Sequence, residues 1–409
     1  MQKEVRRDIE RKVACAQRAE VQELTEHSAE LVVIVPTLYE ADNLPELTRR
    51  IFAAVSKAFI ATELLIVDDN SQDGTEEIVK QLANQYPIRL ITRNFDRGLA
   101  TAVLYGIRRL RHDYVIVMDA DLSHSPEDVP RLFQRLKEEA DFVVGSRYVK
   151  GGSTDAKWSS FRWLNSKVAV ILARGLTDLK DPMAGFFGFR RSILANAPQL
   201  APVGYKIALE ILVKGNCWKV EEIPIAFSER TKGKSKLTLR QQVLYLRHLR
   251  RLYRFRFPQT SEIIQFGTVG GSGAVIDFFL FLALTYGGGI DHQLSRAMSF
   301  FAAVSWNWFS HRWFTFVGGP DKKWGKQWIE FLAVACVGFT VNWGSYKLLS
   351  DYVPYLTQHH IVTFFLGILL GSGFNYTLSR WFVFRPFEKV IAANQNADAS
   401  HGGRMSVEK

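Results

Sequence analysis

Val115-Ile116-Val117-Met118-Asp119-Ala120-Asp121 is a run of β-branched and apolar residues that stops at two carboxylates one residue apart. The run predicts a strand buried on both faces. Ionised side chains are almost never fully buried unless paired or metal-bound, so two of them at the carboxyl end of a core strand point to a hard-cation site. In open α/β sheets, ligands also bind at that end of the strands. Taken alone, the pair reads more simply as the cap of a following helix, because Ser123, Ser125 and Pro126 look like a helix start. The flanking chain decides between the two.

Upstream, Leu31-Val32-Val33-Ile34-Val35 predicts a strand running into Pro36-Thr37-Leu38-Tyr39-Glu40, and Asn43 is expected to cap a helix to about Lys57. Leu64 to Val67 predicts a second strand, ending in Asp68-Asp69-Asn70-Ser71, with a helix opening at Asp73-Gly74-Thr75. Ile88 to Ile91 predicts a third, followed by Arg97-Gly98-Leu99-Ala100 and a helix to about Arg109; Phe142 to Gly145 predicts a fifth after the central one. This alternation argues an α/β fold with a mostly parallel, doubly wound sheet. Acidic residues close strands one, two and four, so they are expected to converge on one sheet edge. A carboxylate cluster repels a bare phosphate but holds Mg2+ or Mn2+, which can bridge a diphosphate; Asp68 or Asp69 suits a base or ribose. No G-x-x-x-x-G-K-S/T occurs and no G-x-G-x-x-G follows the first strand, so neither a P-loop nor a dinucleotide fold is supported.

The 409 residues carry a net charge of +11, distributed unevenly. Charge dominates the first 260 residues and long apolar segments the stretch from about Glu262 to Phe384, which predicts a soluble domain followed by a membrane domain. The first 30 residues form a polar leader without an apolar run, so no secretory signal peptide is expected. Cys15, Cys217 and Cys336 show no pairing or metal-ligand spacing, which favours a cytosolic catalytic domain. Much of the basic excess lies between Lys206 and Arg256, beside the first apolar segment, and fits lipid headgroups or phosphates better than nucleic acid.

Four motifs carry a resemblance: Val35-Pro36-Thr37-Leu38-Tyr39-Glu40; Ile66-Val67-Asp68-Asp69-Asn70-Ser71-Gln72-Asp73-Gly74-Thr75; Met118-Asp119-Ala120-Asp121-Leu122-Ser123-His124; and Gly145-Ser146-Arg147-Tyr148. In this order they resemble family-2 glycosyltransferases of GT-A fold, and within them the polyprenol-phosphate (dolichol-phosphate) mannose synthases, over roughly residues 31–246. The resemblance implies a sugar-nucleotide donor, a divalent metal on the D-x-D, and inverting transfer to a polyprenyl phosphate. It puts Pro36, Tyr39, Glu40, Asp68, Asp69 and Asp119 at the donor, with Arg230 and Lys232. Metal ligands would be Asp119, Asp121 and Ser123, the last a Ser where some relatives carry Gln. Arg147, Arg162, Ser166, Arg230 and Lys236 would hold the acceptor phosphate, and Asp119, Asp121 and Arg147 form the catalytic set. Asp181-Pro182-Met183-Ala184-Gly185-Phe186 resembles the family's D-P-x-S-G-F element with Ala184 in place of Ser, and Arg230-Thr231-Lys232-Gly233-Lys234-Ser235-Lys236 its mobile basic loop. Neither Arg162-Trp163 nor Arg380-Trp381 is preceded by the Gln of the polymerising Q-x-x-R-W, so single transfer is preferred. From the residues themselves, Arg162 and Ser166 share a face of an amphipathic helix, where both can meet phosphate oxygens.

The domain boundaries follow: a leader to 30, the catalytic domain at 31–238, an interfacial helix at 239–258, a membrane domain at 262–386 and a polar, disordered tail from 387. The interfacial helix alternates aromatic and apolar residues with Arg240, Arg247, Arg250, Arg251, Arg254 and Arg256. Four spans are expected, about 262–285, 294–317, 327–350 and 360–384. Lys322, Lys323 and Lys326 in the middle link, with Arg385 and Lys389 after the last span, place both termini and the catalytic domain on the cytoplasmic face of the cell membrane. Residues 306–316 repeat at 374–384, and this signature resembles the GtrA-like membrane domains. Asn307 and Asn375 are expected to bond across helices, while Gly267-x-x-x-Gly271 and Gly367-x-x-x-Gly371 allow close packing. The leading expectation is mannose transfer from GDP-mannose. Glucose transfer from UDP-glucose, and a lipid-linked-sugar flippase with an idle soluble domain, stand as alternatives.

Overall fold

The computed structural model describes residues 29–154, 160–195, 197, 200–201, 204, 206–215, 217–228, 239–316 and 323–384, with backbone only for 160–163 and 239–240. The leader before residue 29, the basic run 230–236, the tail and the Arg162 side chain lie outside the described residues. The chain forms two compact units, Met1–Arg256 and Phe257–Lys409.

In the first unit, β1 (Leu31–Thr37), β2 (Thr62–Asp68), β3 (Ile88–Thr92), β4 (Tyr114–Val117), β5 (Phe142–Ser146), β7 (Phe187–Arg190) and β8 (Val220–Pro224) make one sheet in the order β3-β2-β1-β4-β7-β5-β8. Two short strands, β6 (Ser153–Thr154) and β9 (Ala226–Phe227), pair separately. Period-two burial runs through β1: Leu31, Val33 and Val35 belong to one core, Val32 and Ile34 to the core on the opposite face. Helices α1 (Leu44–Lys57), α2 (Thr75–Leu82), α3 (Leu99–Arg109) and α4 (Val129–Glu138) cover these faces. β1, β2 and β4 are parallel neighbours, so their acidic ends do share one edge.

Two local expectations need correction. Asn43 does not cap α1 with its side chain, because residues 41–43 are already a 3-10 turn and the Asn43 amide donates instead to Glu40 Oε2 at 2.7 Å. After the Asp pair the chain likewise makes a 3-10 turn at Pro126–Asp128 before α4, with no Ser125 side-chain cap. The sheet also holds a strand that the βα alternation does not announce. β7 runs antiparallel between β4 and β5, so its amino end lies beside the carboxyl ends of both neighbours.

Helix α5 (Ser160–Ala173), α6 (Ile207–Lys214) and α7 (Leu239–Arg256) complete the unit. One face of α7, carrying Tyr245, Leu249 and Leu252, is buried against Val170, Ala173, Leu209 and Val213, while Val243, Leu246, Arg247 and Phe255 stay exposed. The helix is amphipathic as its spacing predicts, with its docked face fixed by Tyr245 and Tyr253 donating to the carbonyls of Ala169 and Leu172 at 2.7 and 2.8 Å.

Among its described residues the second unit contains four long helices, α8 (Pro258–Leu282), α9 (His292–Ser310), α10 (Trp324–Tyr352) and α12 (His360–Leu378), with the short α11 (Pro354–Gln358) before the last. Two segments, Pro258–Gly287 and His360–Val383, are long and apolar enough to cross a bilayer; α9 and α10 coincide with expected spans but are more polar. The repeat is structural as well as sequential. α9 and α12 each end in a π turn, at His311–Thr315 and Ser379–Val383, and Phe316 and Phe384 stack with centroids 4.7 Å apart. Gly273 packs on Asn307 as Gly338 packs on Asn375, so these asparagines sit against glycine rather than bonding across helices. Asn307 Oδ1 makes no hydrogen bond, and Asn375 Oδ1 accepts from Ser379 on its own chain segment at 3.4 Å. Of the two G-x-x-x-G pairs, Gly367 and Gly371 face Asn342, whereas Gly267 and Gly271 face open space.

Candidate active site

Asp119 and Asp121 follow β4 directly, and their loops are strained where they turn. Tyr39, Asn70, Gln72 and Leu122 take left-handed φ values of 63°, 54°, 53° and 59° at the carboxyl ends of β1, β2 and β4. Non-glycine residues held in this region gather at ligand-binding turns, and the surrounding packing keeps them there. Leu122 separates Asp121 from Ser123, and the turn aims Ser123 back at the carboxylate. Asp121 Oδ1 accepts from the Ser123 amide at 3.1 Å and its hydroxyl at 2.5 Å. Ser123 is thus an orienting residue for Asp121, whatever else it touches.

Asp119 lies against Gly185. A Cβ there would stand 2.6 Å from Asp119 Oδ2, so only glycine leaves the carboxylate its place. Gly185 is there because β7 is antiparallel: the loop Asp181–Phe186 enters the strand at the edge where β4 ends. Gly185→Ala is expected to displace Asp119 and lower the turnover number at least about tenfold with the fold retained. Steady-state kinetics beside a thermal melt check this. On its other side Asp119 Oδ2 is 3.5 Å from His124 Nε2; His124 is buried between Phe186 and Phe227, and its Nδ1 has no hydrogen-bond partner.

Of the residues expected at the donor, Asp68 and Asp69 are buried in hydrogen-bond networks of their own. Asp68 accepts from Thr37 Oγ1 at 2.9 Å and from the Ser71 hydroxyl and amide, both at 2.8 Å. Asp69 is paired with the buried Arg93 and accepts from the Gly98 amide at 2.7 Å, which fixes the start of α3. Glu40 accepts from Asn43, Tyr39 is exposed, and Pro36 lies within β1. These three line the same edge as Asp68, whose strand pairs with β1 through Thr37.

Arg147 follows β5 and is gripped by Asp181. Its Nε and Nη2 donate to the two carboxylate oxygens at 2.7 and 2.8 Å, and its amide adds a third bond at 3.1 Å. Burial works against the guanidinium charge, and Asp181 outweighs it, so the net shift is upward. Asp181 is itself held by Glu222, which accepts from its amide at 3.0 Å. The Arg147 guanidinium lies 5.3 Å from the Tyr148 ring and 5.2 Å from that of Phe227. Tyr148 Oη meets Ser166 Oγ at 2.9 Å, and Lys167 Nζ stands 4.8 Å over the same ring. The structure therefore brings Arg147 and Ser166 together through Tyr148. Arg162 lies one turn before Ser166 on α5, by backbone alone. The Ser228 amide donates to the Ser123 carbonyl at 3.0 Å, which holds Ser228 beside the turn that carries Asp121.

Sequence reasoning missed Asp181, His124 and Lys206 as site residues. Lys206 Nζ donates to the Met183 carbonyl at 2.8 Å; burial, reinforced by Arg147, pushes its ammonium down to about 8. The signal for Asp181 was present in the Asp-Pro-x-Ala-Gly-Phe element, but its partner is distant in sequence.

Among the described residues no three His, Cys, Asp or Glu side chains form a preassembled metal cluster. The residues still fit Mg2+ or Mn2+, because such ions take hard oxygens and fill most positions from water and substrate phosphates, using one or two protein carboxylates. The glycine cradle that keeps the Asp119 carboxylate in place is the observation that supports this fit.

Residues 32–196 match the family model "Glycosyl transferase family 2", and residues 265–384 match "GtrA/DPMS, transmembrane domain". A dolichol-phosphate mannosyltransferase from Pyrococcus furiosus is 35% identical over 353 residues, covering 85% of this chain and 97% of that protein. The dolichol-phosphate mannosyltransferase of Saccharomyces cerevisiae is 42% identical over 246 residues, 58% of this chain and 92% of its own. A solved mannosyltransferase from Pyrobaculum calidifontis, in complex with GDP-Man and Mn2+, aligns over 85% of this chain and 88% of that one at 16% identity and a TM-score of 0.41.

Proposed function

The chain belongs to the family-2 glycosyltransferases of dolichol-phosphate mannosyltransferase type with a GtrA/DPMS membrane domain, and on that premise we propose that it transfers one mannose from GDP-mannose to a polyprenyl phosphate, dolichyl or undecaprenyl, with inversion at the anomeric carbon. The observation that carries this reading is the juxtaposition of two groups at one sheet edge: the Asp119/Asp121 pair after β4 and the Arg147–Tyr148–Ser166 group after β5. Relatives named for mannose transfer to dolichol phosphate favour mannose over glucose.

A phosphate monoester is already anionic near neutral pH, with a second pKa near ~6, so the acceptor attacks the anomeric carbon without a dedicated general base. The protein has to orient that nucleophile and receive the charge of the departing nucleoside diphosphate. Asp119 and Asp121 would hold Mg2+ or Mn2+, which when bound supplies Lewis-acid neutralisation of the diphosphate. Ser123 keeps Asp121 in register and Gly185 keeps Asp119 there. Asp68, Tyr39, Glu40 and Pro36 would line the nucleotide; Asp69 acts on it through Arg93 and the Gly98 turn. Arg147, locked by Asp181, and Ser166, bonded to Tyr148, would align the acceptor phosphate, with Arg162, Arg230, Lys232 and Lys236 adding positive charge for the phosphates.

Positive-inside logic applied to Lys323 and Lys326 at the start of α10 puts the catalytic domain and both termini on the cytoplasmic face, with four spans through the cell membrane. The decisive experiment incubates membranes containing the full chain with labelled GDP-mannose, UDP-glucose and other sugar nucleotides plus one polyprenyl phosphate. A single mannosylated, alkali-resistant lipid is expected from GDP-mannose. Glucosyl lipid instead would redirect the donor assignment, and no transfer from any donor would support an idle soluble domain.

Lys206 gives a pH test. Its ammonium is charged below about 8 and neutral above. Because that charge acts on Arg147, which would align the acceptor, kcat/KM for the lipid phosphate is expected to decline by up to about tenfold per unit as pH climbs past that value. Lys206→Arg, which stays charged, should remove this alkaline limb from the kcat/KM profile for the acceptor.

A further inference from the structure

The two hairpins of the membrane unit correspond helix by helix, and their arginines exchange partners. Arg312, in the π turn closing the first hairpin, reaches Gln327 at the start of the second; Arg380, in the matching turn, reaches Glu262 at the start of the first. Gly273 with Gly338 and Phe266 with Phe331 set the alignment, and it puts Glu262 and Gln327 at the same place in the repeat.

The exchange is symmetric in position but not in charge. Arg380 Nε lies 3.2 Å from Glu262 Oε1, and Tyr376 donates to that same oxygen at 2.8 Å, so this arginine has its counter-ion built in. Arg312 instead meets the neutral amide of Gln327 and the Trp324 ring, 5.4 Å from its centroid; no described carboxylate pairs with it. Gln327 is buried, and its own amide nitrogen donates to the Val383 carbonyl at 3.4 Å, which leaves its oxygen turned to the arginine. A net positive charge at the edge of hydrocarbon is costly unless an anion neutralises it. Lys323 and Lys326, both exposed at the start of the same helix, raise the positive potential there, and half-exposed Trp324 suits the headgroup layer. With no described carboxylate at Arg312, an anion from outside these residues fits it, and a guanidinium selects phosphate oxygens.

We propose that Arg312, with Trp324, Lys323 and Lys326, forms a binding site for a lipid-borne phosphate, on the bilayer face where the chain enters the unit through α8. The proposal rests on the membrane reading of residues 257–384 and not on which sugar is transferred. Polyprenyl phosphates and bulk anionic phospholipids share the required chemistry.

The full chain in detergent micelles is titrated separately with polyprenyl phosphate, phosphatidylglycerol and zwitterionic phosphatidylcholine, and bound lipids per chain are counted by native mass spectrometry. Gln327→Glu supplies the missing carboxylate and is expected to weaken binding of one anionic lipid about tenfold; Arg312→Ala should do the same. Arg380→Ala, at the already neutralised twin, should leave that lipid bound. Loss confined to polyprenyl phosphate assigns the site to the reaction's lipid, and loss of phosphatidylglycerol as well assigns it to anionic lipid in general; both support the proposal. Unchanged counts in Gln327→Glu, or equal loss in Arg380→Ala, overturn it. Since the near-isosteric Gln327→Glu removes no packing atoms, it carries the test if Arg312→Ala does not fold. Retained lipid binding without sugar transfer would count against the enzymatic reading alone.

Discussion

Asp121→Asn is expected to reduce sugar transfer by about 10²–10³-fold while leaving the melting temperature nearly unchanged. The substitution is nearly isosteric, and the Asn carboxamide oxygen can still accept from the Ser123 amide and hydroxyl that now bond Asp121 Oδ1 at 3.1 and 2.5 Å. Packing is therefore conserved and one negative charge is lost. That charge matters most where a divalent cation has few protein ligands, since each carboxylate then supplies a large share of the site's affinity. Raising Mn2+ should recover part of the rate, because weakened affinity is offset by mass action. Metal-titrated initial rates provide the check, with Mn2+ binding followed by electron paramagnetic resonance as a readout independent of turnover. Full activity at low Mn2+ would show that the metal is held elsewhere.

How far the site could be read in advance depended on how local its determinants are. β1, β2 and β4 are continuous apolar runs, each closed by polar or acidic residues, so both the strands and the edge where their acids gather follow from one-dimensional pattern. β7 is different. Phe187-Gly188-Phe189-Arg190 is short, carries a Gly in its interior, and becomes a strand only because β4 and β5 leave a gap that an antiparallel segment fills. The Arg147–Asp181 clamp and the Asp119–Gly185 contact both depend on that insertion, so neither could be derived from spacing. The same limit applies in the membrane unit. Two G-x-x-x-G pairs look alike in sequence, but only Gly367 and Gly371 lie on a face that another helix covers, and facing is a property of the packed pair.

Asp181→Asn should have the largest effect on stability, about 3–5 kcal/mol, together with a steep loss of acceptor use. Arg147 and Asp181 are nearly and fully buried, with side chains 11% and 0% exposed, and are joined by two parallel charge-assisted bonds. Breaking such a pair from one side deprives the other charge of its main counter-charge, and the cost of that under-compensated guanidinium exceeds the worth of the contacts removed. Arg147→Met should be destabilising for the converse reason, because Asp181 would lose both guanidinium bonds and keep the backbone amide of residue 147 as its described donor. The double variant removes both charges and is expected to recover much of the loss, giving a coupling free energy of a few kcal/mol in a double-mutant cycle of chemical denaturation. Kinetics separate the clamp from a merely structural role. In Asp181→Asn the guanidinium is free to swing from the position beside Tyr148 and Ser166, so KM for polyprenyl phosphate should increase well before KM for the sugar nucleotide does. Equal increases in both constants would mean that Arg147 serves the donor, or the fold at large, and that the acceptor phosphate is aligned by other cations.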